Sequence, residues 1–304
     1  MKFYKYIFFA LTCFLIHSCE DVITVDLEDG DQQLVIDGWI DNQVDKPQVI
    51  RLVRTSPYFD SSASPEVTGA TVEVTDNTGT VYTFVDNNNG DYIWTPPAGG
   101  SFGQVGNSYN LSISTDGKNY TASSTMNRIM EIDSIVSEFR EESLGEPEGI
   151  YASLFARDFP GVGDAYWIKT YKNGAYLNKP GELNIAYDAS FTAGGGIDGV
   201  VFIVPIREGI NRFPDTADDA TDTFDFPPYT TGDSILVEVH SINEDAFFFL
   251  YASRIQMTLG DASIFAEPPT NVPTNIVSLN GTEPGDEPVG FFNVAAVSSM
   301  GRTF

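Results

Sequence analysis

The first third of the chain alternates apolar and polar residues in short runs separated by turn residues. The clearest run is 70–76, where Ala70, Val72 and Val74 point to one face and polar residues to the other. A period of two residues is typical of a strand with one buried face. Comparable runs lie at 34–40, 47–54, 81–85, 91–95, 108–114 and 119–124. About seven strands over 33–126 predict an immunoglobulin-like or transthyretin-like β-sandwich.

A second β-rich domain is predicted over 127–304. Its apolar runs are further apart than those of the first domain, and two long loops, 174–199 and 207–232, separate some of them. Loops of this length inside a compact domain are usually functional or mobile. The predicted strands of this domain lie at 132–139, 150–157, 165–173, 234–242 and 289–297.

One segment of this second domain has helical spacing, and it predicts a helix near 243–259. Ser241 and Glu244 have the spacing of a capping box, and Gly260 stands where a C-terminal cap is expected. At least two of the three phenylalanines 247–249 are expected to fill the core. The stripe on one helix face consists of Phe247, Leu250, Tyr251, Arg254 and Ile255.

The N-terminus has the organisation of an export signal. Lys2 and Lys5 precede an apolar stretch, 6–16, which is too short for the roughly 20 helical residues that span a bilayer. The residues Ile-His-Ser before Cys19 resemble a bacterial lipobox. We therefore predict that 1–18 is a lipoprotein signal peptide and that the Cys19 thiol is acylated with fatty acids such as palmitate, which gives a lasting anchor.

An acidic tether, 19–32, follows the predicted anchor. Its first residues after the cysteine, Glu20 and Asp21, resemble the surface-export signal of Bacteroidota lipoproteins. The expected location is the outer membrane, facing the cell exterior. The alternative is the periplasmic leaflet, because the signal is short and the whole chain is acidic.

The charge of the chain excludes some partners. It carries 16 Lys and Arg against 43 Asp and Glu, a formal net charge of −27 at pH 7. Such a surface repels phosphate backbones, so a nucleic-acid partner is not expected. It also repels anionic lipid, so contact with the membrane requires the lipid anchor.

The scarcity of cysteine and histidine argues against an enzyme. The chain has two of each, and Cys13 and His17 lie in the predicted leader, which leaves Cys19 and His240. A disulfide is then impossible within the mature chain, and a single histidine and a single cysteine leave little material for the common hydrolytic triads. His240 is expected to be a half-exposed strand histidine, with a general acid or base as the alternative reading. A hydrolase that uses carboxylates alone also remains as an alternative.

Two loops contain candidate binding residues. Tyr58 and Phe59 lie in a Pro-flanked loop and would contact a partner, or else fold back onto the sandwich edge. The loop 213–226 would be a solvated acidic loop or a calcium site, and no other cofactor is predicted. Its carboxylates belong to Asp215, Asp218, Asp219, Asp222 and Asp225.

Motifs in both halves resemble the DUF4249 family of Bacteroidota lipoproteins. The resemblance implies an outer-membrane lipoprotein whose gene often lies beside one for a TonB-dependent receptor. It implies no activity and supplies no catalytic residues. The motifs are the lipobox and following acids, LVIDGWI (34–40), RLVRTSPYF (51–59), GATVEVTDNTG (69–79), GNSYNLSIS (106–114), FFFLYASRIQM (247–257) and PVGFFNVAAVS (288–298).

The leading functional hypothesis is a non-enzymatic accessory lipoprotein that captures a ligand for a TonB-dependent transporter. It combines the predicted anchor, the poverty of catalytic residue types and the genomic association implied by the resemblance. The alternative is a free-standing structural or adhesive surface lipoprotein that binds calcium or a polymer. Calcium-dependent thermal stabilisation would favour that alternative.

Overall fold

The described residues fold mainly into β-strands, which account for 46% of them, against 10% in helices. The mainly β prediction is therefore confirmed, and a curled, sandwich-like sheet fits the prediction for the N-terminal part. The computed structural model describes residues 31–57, 60, 62–144, 146–213, 226–258, 271–281 and 287–304.

All seven strands predicted in the N-terminal part are present, with bounds close to the predicted ones. Their alternating residues explain them: in the third strand, Val72 and Val74 are buried, whereas the residues between them are exposed or half-buried. The strands are β1 (Leu34–Asp41), β2 (Gln48–Arg54), β3 (Thr71–Asp76), β4 (Val81–Asp86), β5 (Asp91–Trp94), β6 (Ser108–Thr115) and β7 (Lys118–Thr125).

Within the described residues, the C-terminal part adds nine strands and two helices. The predicted loop 174–199 contains two of these strands, both paired with the same neighbour. The elements are β8 (Ile132–Arg140), β9 (Gly149–Ala156), β10 (Ala165–Lys172), β11 (Ala175–Tyr176), β12 (Asn184–Tyr187), α1 (Val204–Glu208), β13 (Ser234–Ile242), α2 (Glu244–Thr258), β14 (Val277–Ser278), β15 (Val289–Ala295) and β16 (Val297–Thr303), with a 3-10 turn at Pro180–Glu182.

A nine-stranded sheet has the order β14-β7-β6-β3-β4-β5-β2-β1-β15. It curls around an apolar core to which both of its halves contribute, for example Ile36 and Leu52 from one half and Val74 and Leu111 from the other. Burial of such side chains removes apolar surface from water, and each Å² that is removed stabilises the fold by about 25 cal/mol. This is the main stabilising contribution of the sheet.

The edge strand β15 pairs in parallel with β1, although some 250 residues separate them in sequence. A Cβ atom at Gly290 would lie 2.1 Å from the Ile36 carbonyl oxygen, and the φ angle of Gly290 is +99°. Only glycine fits this close approach in that backbone conformation. The predicted domain boundary at 126/127 stays a prediction, but the sheet does not follow it, since β14 and β15 belong to the later segment.

A second sheet has the order β11-β10-β13-β16, with β12 also paired to β10. One face of this sheet packs on the β8–β9 hairpin and on α1, around Ile168, Val237 and Ile206. The final strand predicted at 289–297 is two strands, β15 in the first sheet and β16 in the second. The chain crosses between them at Ala296, whose backbone is hydrogen-bonded to Ser241 in both directions.

The helix predicted near 243–259 is confirmed as α2, but its cap is not the predicted one. Asn243 Oδ1 accepts the Ala246 N–H at 2.7 Å, which makes Asn243 the N-cap. Ser241 is still part of β13, and its hydroxyl donates to the Asn127 carbonyl oxygen instead. Gly260 lies outside the described residues. Neither α1 nor α2 is long and apolar enough to cross a membrane, and the same holds for every helix in the described ranges.

Candidate functional site

Most of the residues singled out from the sequence lie outside the described part of the chain, and their roles stay predictions. These are the lipidation residue Cys19 with Glu20 and Asp21, the loop aromatics Tyr58 and Phe59, and the five aspartates Asp215, Asp218, Asp219, Asp222 and Asp225.

His240 lies in the described part, and its expected half-exposure is wrong. The side chain is only 3% exposed, and its Nε2 lies 3.0 Å from Glu238 Oε2. The strand pattern correctly places His240 and Glu238 on one face of β13. That face is covered because it turns towards the first sheet, where the Trp39 ring meets Trp167 of β10 edge-to-face at 5.0 Å. The alternation of residues along one strand does not show whether another sheet packs over its polar face.

A polar layer lies between the two sheets, formed by Asp41, Lys46, Lys169, Glu238 and His240. Lys46 Nζ lies 2.6 Å from Asp41 Oδ2 on the first sheet. On the second sheet, Lys169 stands directly opposite Glu238 in the β10–β13 pairing. The Lys169 ammonium also lies 3.8 Å from the centroid of the Trp167 ring, a favourable cation–π contact.

Burial shifts the pKa values of the polar layer in the directions expected for desolvated charges. It lowers the pKa of Lys169 to about 8, and the nearby Lys46 charge acts in the same direction. Burial and the Lys169 charge lower the pKa of His240 to about 4, so the imidazole is neutral at pH 7. Burial alone would raise the pKa of Glu238, but the His240 hydrogen bond and the surrounding positive charges keep it below its usual value.

A carboxylate cluster lies beside the end of β12, where Tyr187 pairs with Ala165 of β10. Oxygen atoms of Asp158, Asp188 and Asp198 all lie within 4.8 Å of one another. Several are occupied by donors: Tyr166 Oη donates to Asp158 Oδ1 at 2.7 Å, and the Gly163 N–H donates to Asp188 Oδ1 at 2.7 Å. Burial raises the pKa of Asp158. Oxygen ligands of this kind suit calcium. No local sequence pattern indicated the cluster, because Asp158 lies in the β9–β10 connection whereas Asp188 and Asp198 both lie between β12 and α1.

A cavity in the second half of the chain, called the main cavity because the ends of several elements converge on it, has a volume of about 280 Å³. It lies where the ends of β8, β9 and β12 meet α1 and α2, and its lining is part aromatic and part charged. The lining residues are Arg140, Glu146, Tyr151, Gly181, Leu183, Asn184, Phe191, Pro205, Glu208, Gly209, Asn211, Phe213, Phe226 and Arg254.

Close packing shapes the walls of the main cavity. The rings of Phe213 and Phe226, which precede and follow 214–225 in sequence, meet edge-to-face at 5.3 Å. A Cβ atom at Gly181 would lie 2.4 Å from the Phe213 ring, so glycine is needed for that ring to lie where it does. Arg140 bonds Glu138, Glu146 and Glu208. These contacts fix its guanidinium in the wall.

A groove of about 390 Å³ runs between α2 and residues 273–275. The side chains of Phe248 and Tyr251 line it and are 47% and 44% exposed. Phe247 is buried and Phe249 packs partly against the same core, so the expectation that at least two of the three phenylalanines fill the core is confirmed.

Sequence reasoning missed the main cavity because its lining is gathered from segments between residues 140 and 254. Of that lining, the sequence pointed only to Arg254, as part of the α2 stripe, and to Phe213 and Phe226, as the ends of the candidate loop 213–226. The stripe itself divides: Phe247 and Leu250 are buried, whereas Tyr251 and Ile255 are exposed.

A family model described as "Domain of unknown function (DUF4249)" matches residues 20–300. No curated protein matches the sequence. The matched range contains every strand and both helices of the described residues except the last part of β16.

Proposed function

The chain belongs to the DUF4249 family, a domain of unknown function, and from this premise we propose that it is a lipid-anchored outer-membrane protein. In this proposal it captures a small ligand for a TonB-dependent transporter and catalyses no reaction. The main cavity is the observation that carries the ligand-capture part of the proposal.

The mixed lining of the main cavity supports ligand capture. Pockets that hold small molecules are mostly apolar, with a few fixed polar groups, and span roughly 300–1,000 Å³. The cavity of about 280 Å³ lies just below that range, which suits a small ligand. Phe191, Phe213 and Phe226 supply apolar surface, and Arg254 and Asn184 supply polar groups.

The N-terminal sequence supports the membrane anchor. Cys19 follows the lipobox, and the first strand begins at Leu34, so 20–33 would link the lipid to the fold. Fatty acyl chains contribute about 0.8 kcal/mol per buried CH₂, which makes a multiply acylated cysteine a stable anchor.

The position of His240 supports a function without catalysis. It is the only histidine after the predicted leader, and it is buried against Glu238 rather than lining the main cavity. A general base must come within hydrogen-bonding distance of the proton that it removes. The paired Glu146 and Glu208 in the cavity wall serve to hold Arg140.

An affinity pull-down from native outer membranes tests the accessory role. The full-length protein carries a C-terminal tag, is cross-linked in cells and solubilised in mild detergent, and its partners are identified by mass spectrometry. The matched control is Cys19→Ala, which lacks the acylated thiol. We expect a stoichiometric TonB-dependent barrel with the wild type and none with the control.

Recovery of the wild-type lipoprotein alone after cross-linking would overturn the accessory role. The free-standing calcium or polymer binder would then be the better hypothesis. A rise in the melting temperature on addition of calcium to the purified protein would support it, because a ligand that binds only the folded state stabilises that state.

A further inference from the structure

We propose that the main cavity binds a small monocarboxylate that carries a hydroxyl or amino group beside its carboxylate and an aromatic or aliphatic body. Arg254 binds the carboxylate, and Asn184 accepts a hydrogen bond from the neighbouring hydroxyl or amino group. This inference rests on the proposed function, because it names the class of ligand that is captured.

Arg254 has hydrogen-bonding capacity to spare. Its Nη1 donates to the Leu183 carbonyl oxygen at 3.3 Å, and within the described ranges no carboxylate pairs with it. A guanidinium has five N–H donors, and its planar fork matches the two oxygens of a carboxylate. Arg140, in the same cavity, differs because three glutamates already surround it.

Asn184 supplies an acceptor in the same cavity as Arg254. Its side chain is nearly buried at 5% exposure, and Nδ2 donates to the Ile206 carbonyl oxygen at 2.9 Å. No described residue donates a hydrogen bond to Oδ1, so this oxygen can accept one from a ligand in the cavity. Leu183, whose carbonyl oxygen holds Arg254, directly precedes Asn184, and all three residues line the cavity.

Gly209 holds the Asn184 amide in this position. A Cβ atom at residue 209 would lie 2.5 Å from Asn184 Nδ2, so a larger residue would push the amide away from α1. The Ile206 carbonyl oxygen fixes the orientation of the amide, since only the nitrogen can donate to it. The acceptor atom is therefore preorganised before a ligand arrives.

The rest of the lining determines the ligand's body and charge. Phe191, Phe213, Phe226 and Leu183 favour an aromatic or aliphatic group. No lysine lines the cavity, and Arg254 is its one arginine without a carboxylate partner among the described residues, so a monoanion fits better than a phosphate dianion. The overall charge of −27 repels anions at long range, so recognition must come from direct contact.

The probe pair 3-phenyllactate and its methyl ester tests this proposal. Phenyllactate has a carboxylate, an adjacent hydroxyl and an aromatic ring, whereas the ester lacks the charge. Binding to the tagged, full-length protein is measured by calorimetry. The variants are Arg254→Gln and, as a matched control, Arg157→Gln. Arg157 is exposed, lies outside the cavity and likewise donates from its side chain to a single carbonyl oxygen, that of Gly199 at 3.4 Å.

We expect the wild type and Arg157→Gln to bind phenyllactate equally, and both to bind the ester more weakly. Arg254→Gln should weaken phenyllactate binding roughly tenfold or more, because it removes a charge-assisted pair of hydrogen bonds. It should bind the ester as the wild type does. Equal wild-type affinity for acid and ester would overturn the proposal without relying on any variant, and so would no binding of phenyllactate at millimolar concentrations.

The pull-down separates this inference from the proposed function. A barrel recovered with a protein that does not bind phenyllactate would leave the accessory role standing and remove the carboxylate assignment. If phenyllactate binding depends on Arg254 but no barrel is recovered, the carboxylate assignment stands and the accessory role is overturned.

Discussion

The two sheets differ in how many charged side chains they bury: Asp41 and Asp76 are buried on strands of the first sheet, and more are buried in and around the second. The nine-stranded sheet closes around an apolar core that includes Ile36, Ile50 and Leu52. The second sheet and its surroundings bury charged and polar side chains as well, among them Asp158, Glu182, Asn184, Glu238 and His240. A buried charge stabilises a protein less than apolar packing of similar volume does. The first sheet therefore serves as the scaffold, and the second half accommodates polar groups at some cost in stability, with the main cavity beside them.

The largest expected effect is on the core of the first sheet. Ile50 on β2 is completely buried, and Ile50→Ala should lower the free energy of unfolding by about 2–5 kcal/mol because it leaves a cavity. The neighbouring Val49 is 40% exposed, so Val49→Ala is the matched control and should change stability little. Urea denaturation of both variants measures the difference. Equal losses of unfolding free energy in the two variants would contradict the assignment of a buried face and an exposed face to β2.

A smaller effect of opposite sign is expected in the polar layer. Lys169→Met removes a desolvated charge and should raise the free energy of unfolding at pH 7 by about 1–2 kcal/mol, after allowance for solvent screening. The native pKa of Lys169, about 8, is below its ordinary value of 10.5. The unfolded chain therefore holds the proton more tightly, and the penalty is full below pH 8 and disappears as pH rises to 10.5.

Denaturant titrations of wild type and Lys169→Met from pH 7 to 10.5 measure this dependence. The advantage of the variant should shrink across that window. Lys169→Arg is the control, because it keeps its charge throughout and should show no such convergence with the methionine variant. A methionine variant less stable than the wild type at pH 7 would mean that the Lys169 contacts outweigh its desolvation.

The smallest effect is expected from His240, because it is confined to acidic solution. Its native pKa, about 4, lies below its ordinary value of 6.5. Between these values the unfolded chain takes up a proton that the folded protein does not, so stability is lost as pH falls from 6.5 to 4. His240→Gln should lose stability less steeply over that window in thermal unfolding. Parallel pH profiles for variant and wild type would contradict the buried, neutral imidazole.

The strands of the first sheet were largely predictable, because the residue pattern within each strand indicates which of its residues are buried. Val72 and Val74 alternate with polar neighbours, and alternation is a local signal. The parallel partner β15 was not predictable in that way, since its pairing with β1 joins distant segments. The same limit explains His240: its own strand pattern was interpreted correctly, but the cover over that face comes from Trp39 and Trp167 on other strands.

The candidate site was less predictable than the fold. Arg254 was identified as part of a helical stripe, but its exposure to a cavity depends on Leu183 and Asn184 of an unpredicted strand region. β12 has four buried residues and no alternation, so it carries no period-two signal. Long loops at 174–199 and 207–232 did indicate the right region, because functional residues concentrate on such connections.

Hydrogen–deuterium exchange tests most directly the division between a scaffold sheet and a binding half. Exchange would be compared for the tagged protein in isolated native outer membranes and after purification in detergent. We expect slower exchange in the membrane for peptides covering β12, α1 and α2, which border the main cavity, and unchanged exchange in β3, β4 and β6. Slower exchange confined to β3, β4 and β6, with the cavity segments unchanged, would contradict this division.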